Sequence, residues 1–237
     1  MLRVVFLAHS GFLVELDHVC LLFDWWKGEL PTLPEKPLLV FASHVHADHF
    51  DPHIFILGQR TNVQFLLGSD FRLTPKNLEK WQVNESTAAL CRRCGKQDRF
   101  SPLEGVTVET VPSTDQGVAF LVTADGHTIF HAGDLNWWHW EGETDAYNHN
   151  MAANFKRYVE PLRGRRIDLA MLPLDSRLGT AGFMGPKYFL ELAEIQHFLP
   201  MHQWDNYRFT EEFLHLYPQF SSCTTPISKA DQVFYFS

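Results

Sequence analysis

The segment "SHVHADHF", Ser43 to Phe50, places His44, His46, Asp48 and His49 within six positions, directly after the apolar run "PLLVFA". Residues two apart in a strand project to the same side. His44 and His46 therefore present two imidazoles together, while Asp48 and His49 follow where the chain turns and swing to a neighbouring position. Neutral imidazole and carboxylate are ligands that zinc and other divalent transition ions accept. A polar loop rich in histidine by chance would not concentrate three imidazoles and a carboxylate at this spacing. The segment reads as a metal-binding motif on a strand and turn, unlike the helical H-E-x-x-H of zinc proteases. The chain has no G-x-S-x-G elbow and no Walker loop, so nucleophilic serine chemistry and nucleotide binding find no support.

The elements around the motif set where it can sit. "RVVFLAH", "GFLVELD" and "VCLLFDWW" are short runs of branched and aromatic residues separated by turn residues, and read as strands. The first of them is expected at an edge or in the core. "KPLLVFAS" is an uninterrupted apolar strand of the kind buried on both faces. "DPHIFILGQ" places Pro52 near a helix start. "VQFLLGS" reads as a strand, and "TPKNLEKW" as a short helix capped by Thr74. "VTVETV", "GVAFLVTA" and "HTIFHAG" form a meander with a tight Asp125-Gly126 turn. After Gly133, "TDAYNHNMAANFKRYVEPLRG" has helical spacing, with Met151, Phe155, Tyr158 and Leu162 on one stripe. "IDLAMLPL", "GPKYFLELAEI", "HFLPM" and "TEEFLHLYPQF" then alternate strand and helix, and "QVFYFS" is the last strand. Two sheets with helices outside accommodate this order, with no linker or repeat.

Composition limits the partners. The chain has 237 residues, 45% of them hydrophobic, with twenty phenylalanines and seven tryptophans for a core. A net charge of −8 argues against nucleic acid as the partner, since phosphate backbones recruit basic surfaces. The basic cluster Arg163, Arg165 and Arg166 is expected at a helix C-terminus, where cations suit the dipole. The opening apolar run is short, contains His9 and lacks a small-residue cleavage site, and no segment approaches a membrane span. These features point to a cytoplasmic protein acting on a small molecule, with no membrane or nucleic-acid partner and an open oligomeric state. Cys91 and Cys94 form "CRRC", but the flanking sequence supplies no second ligand pair for a structural zinc. They are expected to be reduced and partly exposed.

With these residues in hand, "HVHADH" resembles the H-x-H-x-D-H signature of the metallo-β-lactamase-fold hydrolases. "HAGD", His131 to Asp134, is similar to the place where that family carries an aspartate bridging two metals. "LPMH", Leu199 to His202, is similar to its terminal metal-binding histidine, and "HSGFLVEL" and "LLFD" resemble its opening strands. The resemblance covers nearly the whole chain and is greatest to the compact branch that includes ascorbate-phosphate lactonases. It implies an α/β fold, a four-layer αββα sandwich of the metallo-β-lactamase type spanning 1–237 as one domain. It also implies two divalent metal ions, zinc first, with manganese or iron as alternatives. His44, His46 and Asp134 would hold one ion, and Asp48, His49, Asp134 and His202 the other. Such a pair shares a hydroxide and polarises the oxygen under attack. Asp48 and Asp134 are the catalytic candidates, with Asp48 or a nearby histidine protonating the leaving group.

One departure from the family is informative. Its members carry a histidine in the loop before the "GVAFLV" strand, where this chain reads "VPSTDQG". Asp115 or water takes that place, beside Ser113 and Thr114, and the first position becomes richer in oxygen. Asp24 is expected to orient a ligand imidazole. His9 either lines the pocket or is a buried structural histidine, and His131 faces either the site or the core. In "DLNWWHWEGE", Trp137, Trp138, His139 and Trp140 are expected as pocket wall or lid. Asp175 and Arg177 in "LDSRLG" are candidate substrate contacts. The function implied is a hydrolase directing a metal-bound hydroxide at an ester, lactone or phosphodiester. A di-iron oxidoreductase and a metal-retaining binding or sensor module are the alternatives.

Overall fold

The computed structural model describes residues 1–236; Ser237, the end of the expected last strand, lies outside the described residues. Two sheets face each other. The first is built from β1 (Leu2–Ala8), β2 (Gly11–Glu15), β3 (Cys20–Phe23), β4 (Leu38–Ala42), β5 (Val63–Leu67) and β6 (Cys91–Arg93). The second contains β7 (Arg99–Phe100), β8 (Thr107–Pro112), β9 (Val118–Ala124), β10 (His127–His131), β11 (Arg166–Pro173) and β12 (Glu194–Met201). The last strand, β13 (Gln232–Phe236), returns to the first sheet and pairs antiparallel with β1. It takes the edge and makes β1 an inner strand.

The unbroken apolar run of β4 is explained by burial on both faces. Leu39 and Phe41 belong to the core between the sheets, whereas Leu38, Val40 and Ala42 pack on the outer face with Ile54, Phe55 and Phe71. Phe55 comes from a 3-10 segment, Pro52–Gln59, capped by the Asp51 carboxylate; the expected helix is therefore tighter than an α-helix. The short helices α1 (Pro75–Lys80) and α2 (Glu85–Ala88) follow β5, and Thr74 Oγ1 caps α1 as expected. On the far side, α3 (Asp145–Val159), α4 (Met184–Leu192) and α5 (Phe209–Leu216) bring Phe155, Phe189 and Phe213 onto the second sheet. This is the four-layer α/β arrangement that the sequence implies. Pro218 ends α5 early, because the residue before a proline is pushed out of the helical region.

The arginine cluster begins at a helix C-terminus as expected, with Arg163 capping the 3-10 turn Glu160–Leu162 that follows α3. Each arginine also has an ion-pair partner: Arg163 with Glu160 at 2.7 Å, Arg165 with Glu109 at 2.8 Å and Arg166 with Asp168 at 3.3 Å. One detail differs from expectation. The "CRRC" cysteines are unequal. Cys94 is fully buried and burial pushes its thiol up to about 12, while half-buried Cys91 is pushed up to about 11. Both are neutral thiols at physiological pH, which opposes a redox role.

Strand direction explains the location of the site. β1, β3 and β4 run in parallel, as do β8, β10, β11 and β12, so the turns after all seven strands open at one edge of the sandwich. His9, Asp24, Ser43–His49, Ser113–Asp115, Gly133–Asp134, Asp175 and His202 lie in those turns. Loops from both sheets meet there: the Val118 N–H donates to the Ser43 carbonyl at 3.1 Å and the His202 N–H to the His9 carbonyl at 3.0 Å. Gly133 allows a close approach, with φ at 51°. A Cβ there would lie 2.6 Å from the Cβ of Ser43.

Candidate metal centre

Two clusters of side-chain donors sit side by side at this edge. The first comprises His44, His46, Asp115 and Asp134; the second comprises His9, Asp48, His49 and His202. Asp134, at the turn after β10, lies between them. Its Oδ2 is 3.4 Å from His44 Nε2, while its Oδ1 is 3.0 Å from His49 Nε2 and 3.4 Å from His202 Nε2. His44 Nε2 and His46 Nδ1 are 3.0 Å apart, and Asp115 Oδ2 stands 3.7 Å from His46 Nδ1. Asp48 Oδ2 faces His9 Nε2 at 3.6 Å and His202 Nε2 at 3.7 Å.

The ring orientations have identifiable anchors. Asp24 is buried at the end of β3, and its carboxylate accepts from His49 Nδ1 at 2.7 Å and from the Ser43 N–H and Oγ–H, each at 2.7 Å. Ser43 Oγ in turn accepts from His44 Nδ1 at 2.9 Å. Asp24 therefore fixes a histidine of the second cluster directly and one of the first through a single hydroxyl. Asp175, fully buried, plays the same part for His202, accepting from Nδ1 at 2.9 Å. Each anchored ring keeps Nε2 toward the centre, an arrangement general for metal-binding histidines. His9, Asp24 and His202 have φ of 55°, 43° and 61°, a left-handed backbone uncommon outside glycine. Strain of this sort collects at functional sites.

Charge is concentrated among these groups. Burial raises the Asp134 carboxyl, but His49 and His202 outweigh it and hold the group well below the usual carboxylate range. Burial lowers His49, yet Asp134 and Asp24 lift it well above its ordinary value. The His202 imidazole is likewise raised by Asp134 and Asp175 against burial. Burial dominates at His9, which is lowered to about 4 and so neutral. Burial raises Asp48, but His202 and His9 outweigh it and hold the group as a carboxylate.

Several expected residues take other places. His131 is in the core behind the site. Its Nε2 donates to the Ser10 carbonyl at 2.8 Å, and its ring stacks on Phe23 at 5.0 Å. Thr114 braces the loop of Asp134: its Oγ1 donates to the Asn136 carbonyl at 2.7 Å and accepts from the Asn136 N–H at 3.0 Å. Asp175 has no exposed surface for a substrate, because His202 and the Arg177 guanidinium occupy its carboxylate. His139 does not line the cavity. The aromatic run divides. Trp138 and Trp140 line the cavity and stack in parallel at 6.2 Å, whereas Trp137 packs against Phe155 and Tyr188. Sequence alone undervalued His9. Its only signal was a histidine directly after an apolar strand, and nothing local indicated which cluster it would join.

The cavity over the centre has a volume of about 250 Å³. Trp138, Trp140, Tyr147 and Met151 line one side, and His46, Asp48, Asp115, Asp134 and His202 form the floor. Arg177 reaches its rim, 4.4 Å from the Trp204 ring and 5.5 Å from that of Trp140. The division of the tryptophans predicts different outcomes on substitution. Trp138→Phe or Trp140→Phe should remove most of the fluorescence change seen when zinc or a small carboxylate binds. Trp137→Ala should leave that change in place and destabilise the fold by about 3–5 kcal/mol. A binding signal that survives both cavity variants would contradict the division.

The donor set fits a metal. His9 Nε2, His49 Nε2, His202 Nε2 and Asp134 Oδ1 are buried and lack hydrogen-bond partners, although all four turn toward one centre. Buried polar atoms are otherwise almost always paired. Imidazole nitrogens and carboxylates are the donors that divalent transition ions take. No helix among the described residues is long and apolar enough to cross a membrane.

Comparison with known proteins agrees with this geometry. The chain is 25% identical over 218 residues to the UPF0173 metal-dependent hydrolase of Pyrococcus furiosus, covering 85% of this chain and 84% of that protein. Its fold is similar to that of the metallo-β-lactamase fold protein YhfI from Bacillus subtilis, with a TM-score of 0.62, 14% identity, and coverage of 99% of this chain and 100% of the other. It is also similar to Igni18, a novel metallo hydrolase from the archaeon Ignicoccus hospitalis, with a TM-score of 0.62, 16% identity, and coverage of 100% and 99%. The model of the β-lactamase superfamily domain matches residues 3–144, a span that takes in His9, Asp24, the whole of His44–His49, Asp115 and Asp134. The match covers more than half of the chain and every ligand candidate except His202, so the chain belongs to the β-lactamase superfamily domain family.

Proposed function

We propose that this protein is a metal-dependent hydrolase that cleaves an ester, lactone or phosphodiester of a small molecule. The observation that carries the reading is the convergence of buried, unpartnered imidazole nitrogens on Asp134. His44, His46, Asp115 and Asp134 would hold one divalent ion, and Asp48, His49, His202 and the same Asp134 the other, with zinc favoured by the imidazole content. When bound, such a pair lowers the pKa of water toward about 7 and polarises the oxygen of the bond to be cut.

The protein's own residues do the rest. Asp24 and Asp175 keep the ligand rings of His49 and His202 in one tautomer and orientation. Asp48 is held as a carboxylate and its side chain is 27% exposed at the cavity floor, so it can accept a proton from water and pass it to the leaving group. Trp138 and Trp140 form an apolar wall that limits water. The guanidinium of Arg177 gives Nε and Nη2 to Asp175 and retains Nη1 for an anionic group of the substrate. A cavity of about 250 Å³ supports a small substrate rather than a polymer. The acidic net charge supports the same choice over a nucleic-acid partner.

The test is metal analysis of protein purified without added metal, followed by assay on simple lactones, esters and phosphodiesters. Bound zinc, manganese or iron together with hydrolysis of one class supports the reading. A metal-replete protein inert toward all three would refute hydrolysis and favour a binding module. A further consequence follows from the raised imidazoles. In the metal-free protein Asp134 and the anchoring carboxylates raise His49 and His202 above their ordinary value, so both hold their protons to higher pH and the metal must displace them. Zinc binding is therefore expected to release protons at pH 7 and to tighten as pH rises through the raised imidazole range. Calorimetry in buffers of different ionisation enthalpy measures this, and uptake without proton release would contradict it.

A further inference from the structure

We propose that the turn at residues 68–70, which supplies no ligand, positions one half of the centre by clasping the loop of His44 and His46 to the loop of Asp115. The inference rests on the metal-dependent reading above and goes beyond it, since that reading assigns nothing to this turn.

The turn follows β5 directly. β5 runs parallel to β4, so its end reaches the same edge of the sandwich as the histidine motif. The chain reverses there, with the Phe71 N–H donating to the Gly68 carbonyl at 3.2 Å. The Gly68 N–H donates to the Ala42 carbonyl at 2.8 Å, directly before the motif. Asp70 Oδ2 accepts the N–H of Val45 at 2.9 Å, and Val45 is the residue between His44 and His46. Ser69 Oγ donates to the Gly117 carbonyl at 3.3 Å, at the end of the Asp115 loop. Phe71 is fully buried, and its ring meets that of Phe50, next to His49, at 4.9 Å.

The approach is close on both sides. A Cβ at Gly68 or at Gly117 would lie 1.9 Å from the Ser43 carbonyl oxygen, so that oxygen is wedged between the two loops. Asp70 keeps Oδ1 buried with no hydrogen-bond partner. Buried polar atoms are rarely left so, and the cost is tolerated where the surrounding structure imposes it, often near functional sites. A side chain that only closed a local turn would bond within the turn; this one bonds across to the motif.

The two metal positions differ in what holds their ligands. His49 and His202 have Asp24 and Asp175 at their Nδ1 atoms. His46 instead points Nδ1 at His44 and Asp115, and its place is set by the backbone at Val45 that Asp70 grips. Loss of the clasp is therefore felt at the position of His44, His46 and Asp115, and not at that of His49 and His202.

Competition titration of the full protein with zinc and a chromophoric chelator tests the proposal without reference to activity. Asp70→Ala should weaken the looser zinc by about 10–100-fold, the range for residues behind metal ligands, and change the tighter zinc by less than about threefold. Asp70→Asn keeps an oxygen acceptor for the Val45 N–H and should hold the looser affinity within about threefold of wild type. In a folded Asp70→Ala, two affinities that fall together, or two that do not fall, would overturn the proposal. So would an Asp70→Asn as weak as Asp70→Ala. Coupling is reciprocal, so hydrogen exchange in the wild type decides the matter if Asp70→Ala does not fold. The Val45 amide should exchange at least about tenfold more slowly once the second zinc is bound. An unchanged Val45 rate would overturn the proposal. Protein that binds no zinc at all would overturn the metal-dependent reading itself, a result distinct from a zinc pair indifferent to Asp70.

Discussion

Asp134→Asn is expected to abolish hydrolysis while leaving a folded protein. Asp134 is the one carboxylate placed against both clusters, within 3.0–3.4 Å of His44, His49 and His202. Its removal leaves those imidazoles, and any cations they hold, without their shared counter-charge. Breaking a buried charge cluster by removing one partner typically costs about 3–5 kcal/mol. That is a cost in folding stability; the rate loss is expected to be at least roughly 10²–10³, the range seen when one charge-stabilising group is removed from an active site. His46→Ala and His202→Ala, which remove one ligand from each cluster, should each fall in the same range. Circular dichroism should show an intact fold in all three, because the core between the sheets is not touched. Near-wild-type turnover in His46→Ala and His202→Ala, with metal still bound, would remove the basis for the ligand assignment.

The second large effect concerns the inequality of the two positions. His49 and His202 are buried and each is anchored by a carboxylate. His46 and Asp115, by contrast, are 39% and 42% exposed and stand 3.7 Å apart. The position that depends on them should lose its metal to mild chelation while the other is retained, with affinities differing by more than about a hundredfold, beyond what changes behind the ligands produce. Asp115→Asn should weaken only the looser metal, and Asp115→His should tighten it. Restoring a histidine to this loop as Thr114→His is expected to fail, because Thr114 braces the loop of Asp134. Competition titration with a chromophoric chelator measures both affinities. Two equal affinities, insensitive to Asp115→Asn, would contradict the inequality.

The sequence by itself determined the motif and the alternation around it. His44, His46, Asp48 and His49 are legible because their spacing is local: a strand followed by a turn fixes their mutual positions within six residues. β4 was legible for a similar reason, since an apolar run without alternation has to be buried on both sides. The family resemblance added Asp134 and His202 from their places at strand ends. The tertiary structure decided everything that depends on which strands lie side by side. β13 joins β1 across the whole chain, a pairing with no local signal. Trp137 and Trp138 are neighbours in sequence, yet one packs against the outside of the core and the other faces the cavity, because the loop they share folds over the sheet edge. His131 looked as available as His9, but it ends inside the sandwich, bonded to the Ser10 carbonyl, while His9 faces Asp48. The parallel direction of seven strands brings their turns to one edge, and only there do residues from 9 to 202 become neighbours. Short-range spacing is written in the chain; the meeting of distant turns is set by sheet order, which strand patterns alone do not encode.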